Sequence, residues 1–321
     1  MAVYTEPTDE ELQTLLTGWG LSAPLAFKGI AEGVQNSNFL LETAEGRFIM
    51  TIYEKSVNTA DLPFYLGATE TAADRGLPAA RPVHTITGAT TQTIRGKTCA
   101  LCTFLSGVSA KRPSASQARA VGAALAQLHL ALADFPLTRK NDLGPSDWAD
   151  MWAGRSGDDE TLEVGTSAAI EVDLIAIAQG WPTDLPKGTI HADLFPDNVL
   201  YLGDTVSGLI DFYFACTDFL AYDVAVMLNA WCFEPNGREF DLTKGRALLA
   251  GYQSVRSLSQ AELDALPLLA RGAALRFFLT RLVDWTTDMD GALVKKKDPR
   301  DYTSRLAFHR AATSAADYGA D

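Results

Sequence analysis

The fold is decided by the stretch TIHADLFPDNVLY, residues 189–201, which we interpret as the end of one strand, a loop and the start of a second strand. A returning strand, Val206 to Ile210, follows and leads into Asp211. If the turn between the two strands is centred just after Asp204, Asn198 lies opposite Asp211. Directly opposed residues of an antiparallel pair have Cβ atoms about 5 Å apart. The pattern therefore predicts that two oxygen-bearing side chains meet at the open end of a hairpin.

The chemistry of this hairpin is that of a magnesium site beside a base. Mg²⁺ prefers oxygen ligands at about 2.1 Å and keeps several waters, so we predict Asn198 and Asp211 as its ligands. Asp193 lies in the loop shaped by Pro196 and is predicted to be a neighbour of the metal, not a ligand. In phosphoryl transfer a carboxylate orients the attacking hydroxyl and accepts its proton. We therefore predict Asp193 as the catalytic base.

These residues also allow a purely structural interpretation. Asp193 and Asp197 would then cap amides of the loop, and His191 would be a buried histidine hydrogen-bonded to the backbone. For His191 we prefer the structural interpretation. For Asp193, Asn198 and Asp211 we prefer the functional one, because the pattern brings the three of them together.

Upstream and downstream of this stretch, the chain changes from β-rich to helical. A capping box that starts at Thr8 predicts a first helix. Hydrophobic periodicity then predicts strands over 38–43 and 47–53, a helix over Asp61–Arg75, strands over Thr90–Ile94 and Thr98–Leu105, and helices over Ser116–Phe135, Gly237–Arg256 and Gln260–Asp290. We therefore predict two domains, residues 1–106 and 107–321.

The composition is that of an acidic globular protein. The chain has 321 residues, 47% of them hydrophobic, and 27 basic against 40 acidic side chains give a formal net charge of −13. Such a surface repels nucleic-acid phosphates and anionic lipids, so neither is an expected partner. No apolar run is long enough to span a membrane and the N-terminus is acidic, so we predict a cytoplasmic protein. Cys99 and Cys102 lie in an apolar strand and are not predicted to bind metal.

The spacing His191-x-Asp193-x4-Asn198, followed after twelve residues by Asp211, resembles the catalytic and metal-binding loops of the aminoglycoside phosphotransferase and choline kinase family, relatives of protein kinases. This resemblance implies an α+β, two-lobed protein-kinase-like fold. A small antiparallel β-sheet lobe would bind the nucleotide, and a larger, mainly helical lobe would carry catalysis and substrate binding. The resemblance also implies ATP as co-substrate and Mg²⁺ as cofactor.

The resemblance extends beyond the catalytic loop in both directions. Upstream it includes LAQLH at 125–129, and downstream it includes Asp218 and the segment YDVA at 222–225. In this family the region that contains Asp218 and residues 222–225 includes a buried aspartate that braces the catalytic loop. These matches cover nearly the whole chain in the expected order.

The resemblance assigns nucleotide-binding residues to the first lobe. Gly29 and Gly33 fall in a loop between two strands, where glycine lets backbone amides approach phosphates, although an ordinary loop explains them equally well. The end of the strand over Thr98–Leu105 resembles the kinase hinge. The backbone of Thr103 and Leu105 would then bind adenine.

One residue departs from the family's pattern. Thr51 stands where the third strand usually carries a lysine or arginine that pairs with the nucleotide's phosphates, and a threonine cannot supply that charge. We predict that Lys55, on the same face of the strand, substitutes, unless Mg²⁺ neutralises more of the phosphate charge. Glu70, on the following helix, is then expected to be a solvated surface residue.

Four segments resemble the homoserine kinases of the kinase-like type, a group that shares the threonine at position 51. They are GVQNSNF at 33–39, MTIYE at 50–54, LNAWCFE at 228–234 and RGAALRFFLTRLVDW at 271–285. The resemblance implies transfer of the γ-phosphate of ATP to the side-chain hydroxyl of L-homoserine. The product would be O-phospho-L-homoserine, an intermediate of threonine biosynthesis.

A zwitterionic amino acid needs a cation for its carboxylate, because an unpaired buried charge costs several kcal/mol. Arg276 or Arg281 is the predicted cation, although Asp284, three residues after Arg281, offers an ordinary helix-surface pair. Three further residues are predicted to orient the substrate, close the phosphate loop or wall the pocket: Asn36, Asn38 and Trp231. The run Lys295–Lys297 is predicted to be solvated.

Two alternatives stay open. A sister kinase that acts on choline, methylthioribose or an aminoglycoside would share every catalytic residue and differ only in the substrate pocket. A non-catalytic nucleotide-binding protein with a kinase-like fold would explain the missing strand lysine. Intact Asp193, Asn198 and Asp211 argue against the second alternative, because a pure binder has no need of a base.

Overall fold

The computed structural model describes residues 5–30, 36–54, 57–155, 162–234, 237–287 and 296–320. The chain divides into two compact units. One contains the described residues up to Ser106, and the other contains those from Gly107 onward. Within the described ranges, no helix is both long enough and apolar enough to cross a membrane.

The first unit is built on a five-stranded antiparallel sheet. Its elements in chain order are α1 (Asp9–Gly18), β1 (Ala26–Ile30), β2 (Ser37–Thr43), β3 (Gly46–Ile52), α2 (Leu62–Asp74), β4 (Thr91–Ile94) and β5 (Lys97–Thr103). The strand order in the sheet is β1-β2-β3-β5-β4. The capping box at Thr8 is confirmed, because its hydroxyl accepts the amide of Glu11 and the Glu11 carboxylate accepts the amide of Thr8. The buried leucines of α1 pack in one core with side chains from β2, β3 and β5.

The second unit is mainly helical. Its elements are β6 (Val108–Ser109), α3 (Ala115–Ala131), α4 (Pro145–Ala153), α5 (Thr166–Gly180), β7 (Lys187–Ile190), β8 (Val199–Leu202), β9 (Thr205–Leu209), β10 (Cys216–Phe219), α6 (Leu220–Trp231), α7 (Leu242–Gln253), α8 (Gln260–Thr286) and α9 (Thr303–Ala311). β7 pairs with β10, and β8 pairs with β6 and β9. A sheet unit followed by a helical unit confirms the predicted α+β, kinase-like fold class.

Helices α3 and α7 pack closely, which matters for the site because α3 carries His129 and α7 carries Tyr252. A Cβ atom at Gly122 would lie 2.2 Å from the carbonyl oxygen of Leu248, and one at Gly251 would lie 2.0 Å from that of Arg119. Only glycine permits such an approach of two backbones. The glycines therefore bring side chains of the two helices within hydrogen-bonding distance of each other.

The predicted register of the β8–β9 hairpin is wrong. Leu202 pairs with Thr205, so the turn is centred between Gly203 and Asp204, where Gly203 takes the positive φ that a tight hairpin turn requires. Ser207 is an extra residue in β9, and this bulge leaves Val199 opposite Leu209 instead of Ile210. Asn198 and Asp211 nevertheless flank the open end of the hairpin.

Candidate active site

The catalytic loop starts where β7 ends, and the carboxylate of Asp223 holds its first turn. Oδ2 of Asp223 accepts the amide of His191 at 2.7 Å, and Oδ1 accepts the amide of Ala192 at 2.9 Å. Asp223 is fully buried in the first turn of α6. Burial alone would raise the pKa of this carboxyl, but hydrogen bonds and the nearby histidines outweigh burial and lower the pKa. The predicted bracing aspartate is confirmed.

A buried histidine extends this brace to α3 and α7. Nε2 of His129 lies 3.1 Å from Oδ2 of Asp223, and Nδ1 lies 2.8 Å from the hydroxyl of Tyr252. Arg256 donates a hydrogen bond to the same hydroxyl at 3.1 Å. Because arginine only donates, this series of hydrogen bonds has one consistent direction. Tyr252 donates to His129, and His129 donates to Asp223. Sequence reasoning missed Tyr252 and Arg256, because no local pattern places α7 beside α3.

His191 is a structural residue, as predicted. It is fully buried, its Nε2 donates to the carbonyl of Ile210 at 3.0 Å, and its Nδ1 accepts the amide of Asp193 at 3.3 Å. Burial lowers the pKa of this imidazole, which is therefore neutral at physiological pH. His191 thus ties the catalytic loop to the last residue before Asp211.

Asp193 projects from this loop and is half-buried. Burial raises the pKa of its carboxyl to about 7. The positive charge of Arg276 opposes that rise, and the negative charge of Asp211 adds to it. A carboxyl that titrates near neutrality is matched to proton transfer at physiological pH.

Asn198 is oriented by Asp193. Its Nδ2 donates to the carbonyl oxygen of Asp193 at 2.8 Å and lies 3.3 Å from the Oδ2 atom of the same residue. Among the described residues, no donor is hydrogen-bonded to Oδ1 of Asn198. The amide oxygen is therefore available to another partner.

Asp211 occupies a special backbone position two residues after the end of β9. Its φ is +64°, the left-handed region that asparagine and aspartate tolerate better than other L-residues. The amide of Ile210 donates to the carbonyl of Asn198 at 3.1 Å, which fixes the start of the Asp211 loop beside Asn198. Desolvation of the carboxyl raises the pKa of Asp211 to about 6, the amide of Tyr213 opposes the rise, and the nearby Asp197 adds to it.

These groups fit a magnesium ion that takes most of its ligands from phosphates and water. A free amide oxygen on Asn198 and a crowded carboxylate on Asp211 are hard oxygen donors, and a cation would relieve the repulsion between Asp211 and Asp197. Over the described ranges, no three or more His, Cys, Asp or Glu side chains converge to hold a metal. Asn198 and Asp211 would thus supply at most two protein ligands to such an ion.

The predicted substrate residues of the second unit are held by other partners. Trp231 is buried and its Nε1 donates to the carbonyl of Leu194 at 2.7 Å. Arg276 is buried and donates to the carbonyl of Ala192. Arg281 pairs with Asp301 at 2.9 Å, and not with Asp284 as helix spacing suggested. Trp231 and Arg276 thus contact the catalytic loop itself.

The lysine run is not simply solvated. Nζ of Lys296 donates to the carbonyls of Trp285 and Thr287 at 3.0 and 2.7 Å, where a cation favourably caps the end of α8. Lys297 is exposed, and its Nζ lies 5.7 Å from the ring centroid of Phe195. Lys295 lies outside the described residues.

In the first unit, the departure at Thr51 is accommodated by a polar pair. Thr51 lies opposite Asn38, and its hydroxyl donates to Oδ1 of Asn38 at 2.8 Å. Oδ1 of Asn36 accepts the amide of Glu54 at 3.2 Å, and the Glu54 carboxylate forms an ion pair with Lys97. The contact of Lys97 with Glu54 was not predicted, because the sequence placed Lys97 in the turn before the strand, whereas it is the first residue of β5.

The other nucleotide-binding predictions concern two glycines, Lys55 and the end of β5. The predicted loop position of Gly29 is wrong, because Gly29 pairs with Phe39 of β2 and so lies within β1, whereas Gly33 and Lys55 lie outside the described residues. The amide of Thr103 donates to the carbonyl of Arg81 at 2.8 Å, and among the described residues the amide of Leu105 donates to no backbone carbonyl.

Three side chains of the first unit were expected to take no part in the chemistry: Glu70 as a solvated surface residue, and Cys99 and Cys102 as buried strand residues. Glu70 accepts a hydrogen bond from Nε2 of His84 at 2.6 Å, so its partner is a histidine and not a strand lysine. Cys99 and Cys102 are free thiols in β5, and burial raises the pKa of each to about 12.

Comparisons with known proteins agree with this geometry. Residues 26–258 match the phosphotransferase enzyme family. A homoserine kinase of Xanthobacter autotrophicus is 53% identical over 319 residues, which cover 99% of each chain. A homoserine kinase of Hyphomonas neptunium is 52% identical over 328 residues and the full length of both chains.

The fold is similar to that of solved kinases. The structure of an amicoumacin kinase in complex with AMP-PNP and Ca²⁺ superposes with a TM-score of 0.67 at 15% identity, covering 94% of this chain and 92% of that one. At such low identity the similarity establishes the fold alone.

Proposed function

Because this chain belongs to the phosphotransferase enzyme family, we propose that Asp193 is the base of an ATP-dependent phosphoryl transfer and that Asn198 and Asp211 hold Mg²⁺. The chain phosphorylates L-homoserine with ATP, the activity that its relatives carry in their names at about 52% identity over the whole chain. The product, O-phospho-L-homoserine, enters threonine biosynthesis. The family membership confirms the resemblance on which the expectation was based.

The observation that carries the proposal is the contact between Asp193 and Asn198. Nδ2 of Asn198 lies 3.3 Å from Oδ2 of Asp193, and the Asp211 loop is hydrogen-bonded to the backbone of Asn198. A base and a metal ligand are thus held side by side. The acceptor hydroxyl donates to Asp193, its oxygen attacks the γ-phosphorus, the bond to the bridging oxygen breaks, and the proton stays on Asp193 while ADP leaves.

Each proposed ligand does a distinct task. Asn198 offers Oδ1 and Asp211 offers its carboxylate, while the amide of Tyr213 limits the rise in the pKa of Asp211 and so keeps the carboxylate ionised. A bound Mg²⁺ neutralises charge on the phosphates and on the leaving ADP. The Asp223 brace fixes the loop before substrate binds, so little reorganisation is needed at the moment of transfer.

For the nucleotide, we propose that the backbone of Thr103 and Leu105 binds adenine, with Gly29, Gly33 and Lys55 near the phosphates. The amide of Leu105, which donates to no backbone carbonyl among the described residues, supports the hinge assignment.

For homoserine, we propose that Arg281 receives the carboxylate in exchange for its exposed partner Asp301. Trp231, whose Nε1 is hydrogen-bonded to the catalytic loop, is a proposed neighbour of the substrate. The substrate roles of Asn36 and Asn38 in the first unit stay predictions.

The predicted cytoplasmic location also stays a prediction, which cell fractionation tests.

Another alcohol acceptor is not favoured, because the relatives at high identity are homoserine kinases. The direct test is an ADP-release assay with L-homoserine, choline, ethanolamine, methylthioribose and kanamycin as acceptors. We expect L-homoserine to give at least about tenfold higher kcat/KM than any other. Equal or better turnover of another alcohol would overturn the assignment and leave the fold intact.

A further inference from the structure

The guanidinium of Arg276 reaches the catalytic loop from α8. Its Nη1 donates a hydrogen bond to the carbonyl oxygen of Ala192, and the residue is only 2% exposed. Among the described residues, no ion pair includes Arg276. A buried guanidinium is costly unless its charge and its donors are used. Besides this contact, the guanidinium lies 4.5 Å from the ring centroid of Phe277, and its charge attracts the carboxylate of Asp193.

Ala192 is the residue of the loop that most needs support. Its φ is +61°, a left-handed conformation that is strained for an alanine. Such strain persists only where the surroundings hold it. The amide of Ala192 is held by Asp223, and its carbonyl is held by Arg276. Both polar groups of the strained residue are therefore anchored, by two different helices.

The anchored carbonyl belongs to the peptide bond that joins Ala192 to Asp193. Its direction sets ψ of Ala192 and limits φ of Asp193, and so sets the direction in which the Asp193 side chain leaves the loop. The same guanidinium lies 5.4 Å from the ring centroid of Phe214, in the turn that follows Asp211. Arg276 therefore contacts both loops that carry the proposed catalytic groups.

We propose that Arg276 is a positioning residue, which holds the strained Ala192–Asp193 peptide and so aims the Asp193 carboxylate at the acceptor hydroxyl. This inference rests on the proposed role of Asp193 as the base. It assigns Arg276 a task different from substrate binding, and the two tasks predict different kinetics.

The test is Arg276→Met, which keeps bulk and removes the donor, together with Arg276→Lys, which keeps a charge and one donor. We expect Arg276→Met to lower kcat by about 10² while KM for ATP and for L-homoserine change by less than about threefold. Arg276→Lys should recover part of the lost kcat. Hydrogen exchange of the backbone amides in residues 189–198 should be faster in Arg276→Met.

Arg305 provides a matched control. Like Arg276, it donates to a backbone carbonyl and its guanidinium lies over aromatic rings, but its carbonyl partner is not in the catalytic loop. Its Nη1 donates to a backbone carbonyl, that of Asn229, at 2.7 Å, and its guanidinium stacks on Tyr302 and Phe233. Arg305→Met should lower the thermal unfolding temperature but leave both kcat per folded molecule and exchange in residues 189–198 near wild type.

Several results would overturn the inference. A folded Arg276→Met enzyme with wild-type kcat would remove the positioning role, and a large rise in KM for L-homoserine at nearly unchanged kcat would make Arg276 a substrate ligand. If Arg276→Met does not fold, unchanged loop exchange and unchanged kcat in Arg276→Lys would contradict the proposal. If wild-type protein turns over no homoserine, the proposed function fails, but loop exchange in the Arg276 variants still tests the brace.

Discussion

Nε2 of His129 lies 3.1 Å from Oδ2 of Asp223, and both side chains are completely buried. The same carboxylate holds the first two amides of the catalytic loop. A helix that begins more than seventy residues before the loop thus takes part in fixing it. The contact links packing of the helical unit to the geometry of the proposed base.

This linkage makes a prediction about Asp223. Asp223→Asn keeps the shape but presents an amide group to the loop amides, so one buried donor loses its acceptor, at a cost of about 1–3 kcal/mol. We expect kcat to fall at least tenfold, measured at a temperature where the variant is folded. Tyr252→Phe, one step further along the network, should cost about 1 kcal/mol of stability and leave kcat within about threefold. Equal kcat losses in both variants would show that stability alone explains the effect.

The metal assignment makes a second prediction. Asp211→Asn removes one negative ligand, so the Mg²⁺ concentration that gives half-maximal ADP release should rise at least about tenfold. Asp204→Asn is the control, because Asp204 lies in the turn at the other end of the same hairpin and accepts a hydrogen bond from Ser116. A magnesium dependence that is the same in wild type and Asp211→Asn would contradict the ligand assignment.

A third prediction concerns the dependence of stability on pH. His309 is buried, with Nδ1 2.9 Å from the hydroxyl of Tyr318 and Nε2 3.0 Å from Oδ1 of Asn229, and burial lowers its pKa to about 3. Between the pKa of about 6.5 in the unfolded chain and that lowered value, the unfolded chain binds the extra proton. The free energy of unfolding should therefore fall as the pH falls from 7 to 5, by up to about 1.4 kcal/mol per pH unit below pH 6.5.

Urea unfolding at pH 7 and pH 5 measures this loss. His309→Gln should reduce the loss, whereas His84→Gln should not, because the hydrogen bond that His84 donates to the Glu70 carboxylate raises the pKa of His84 and gives the opposite sign. If His309→Gln loses as much stability in acid as wild type does, the imidazole is not held neutral in the folded chain.

The parts of the site that lie close together in the sequence could be predicted from it. Asp193 and Asn198 lie in one short loop, and Asp211 follows the β8–β9 hairpin that comes after this loop, so their proximity depends only on local hairpin geometry. The register within that hairpin could not be predicted, because the bulge at Ser207 changes the pairing without leaving a clear pattern in the sequence.

Side-chain contacts between residues that are far apart in the sequence could not be predicted either. Helix spacing paired Arg281 with Asp284, but Arg281 lies against Asp301, because tertiary packing offers a better acceptor than the helix surface does. Arg276 was expected to bind substrate, since nothing in its own segment indicates a strained carbonyl 84 positions earlier. Such roles depend on how helices pack, and periodicity only identifies the buried face.

Single-turnover phosphorylation of L-homoserine by Asp193→Asn is the decisive test of whether Asp193 accepts the proton of the acceptor hydroxyl. We expect the rate of phosphoryl transfer to fall by about 10² or more while the Kd for ATP stays within about threefold of wild type. Asp197→Asn, an exposed acid of the same loop, should stay within about threefold on both measures. A transfer rate for Asp193→Asn close to that of wild type would contradict the assignment of Asp193 as the base.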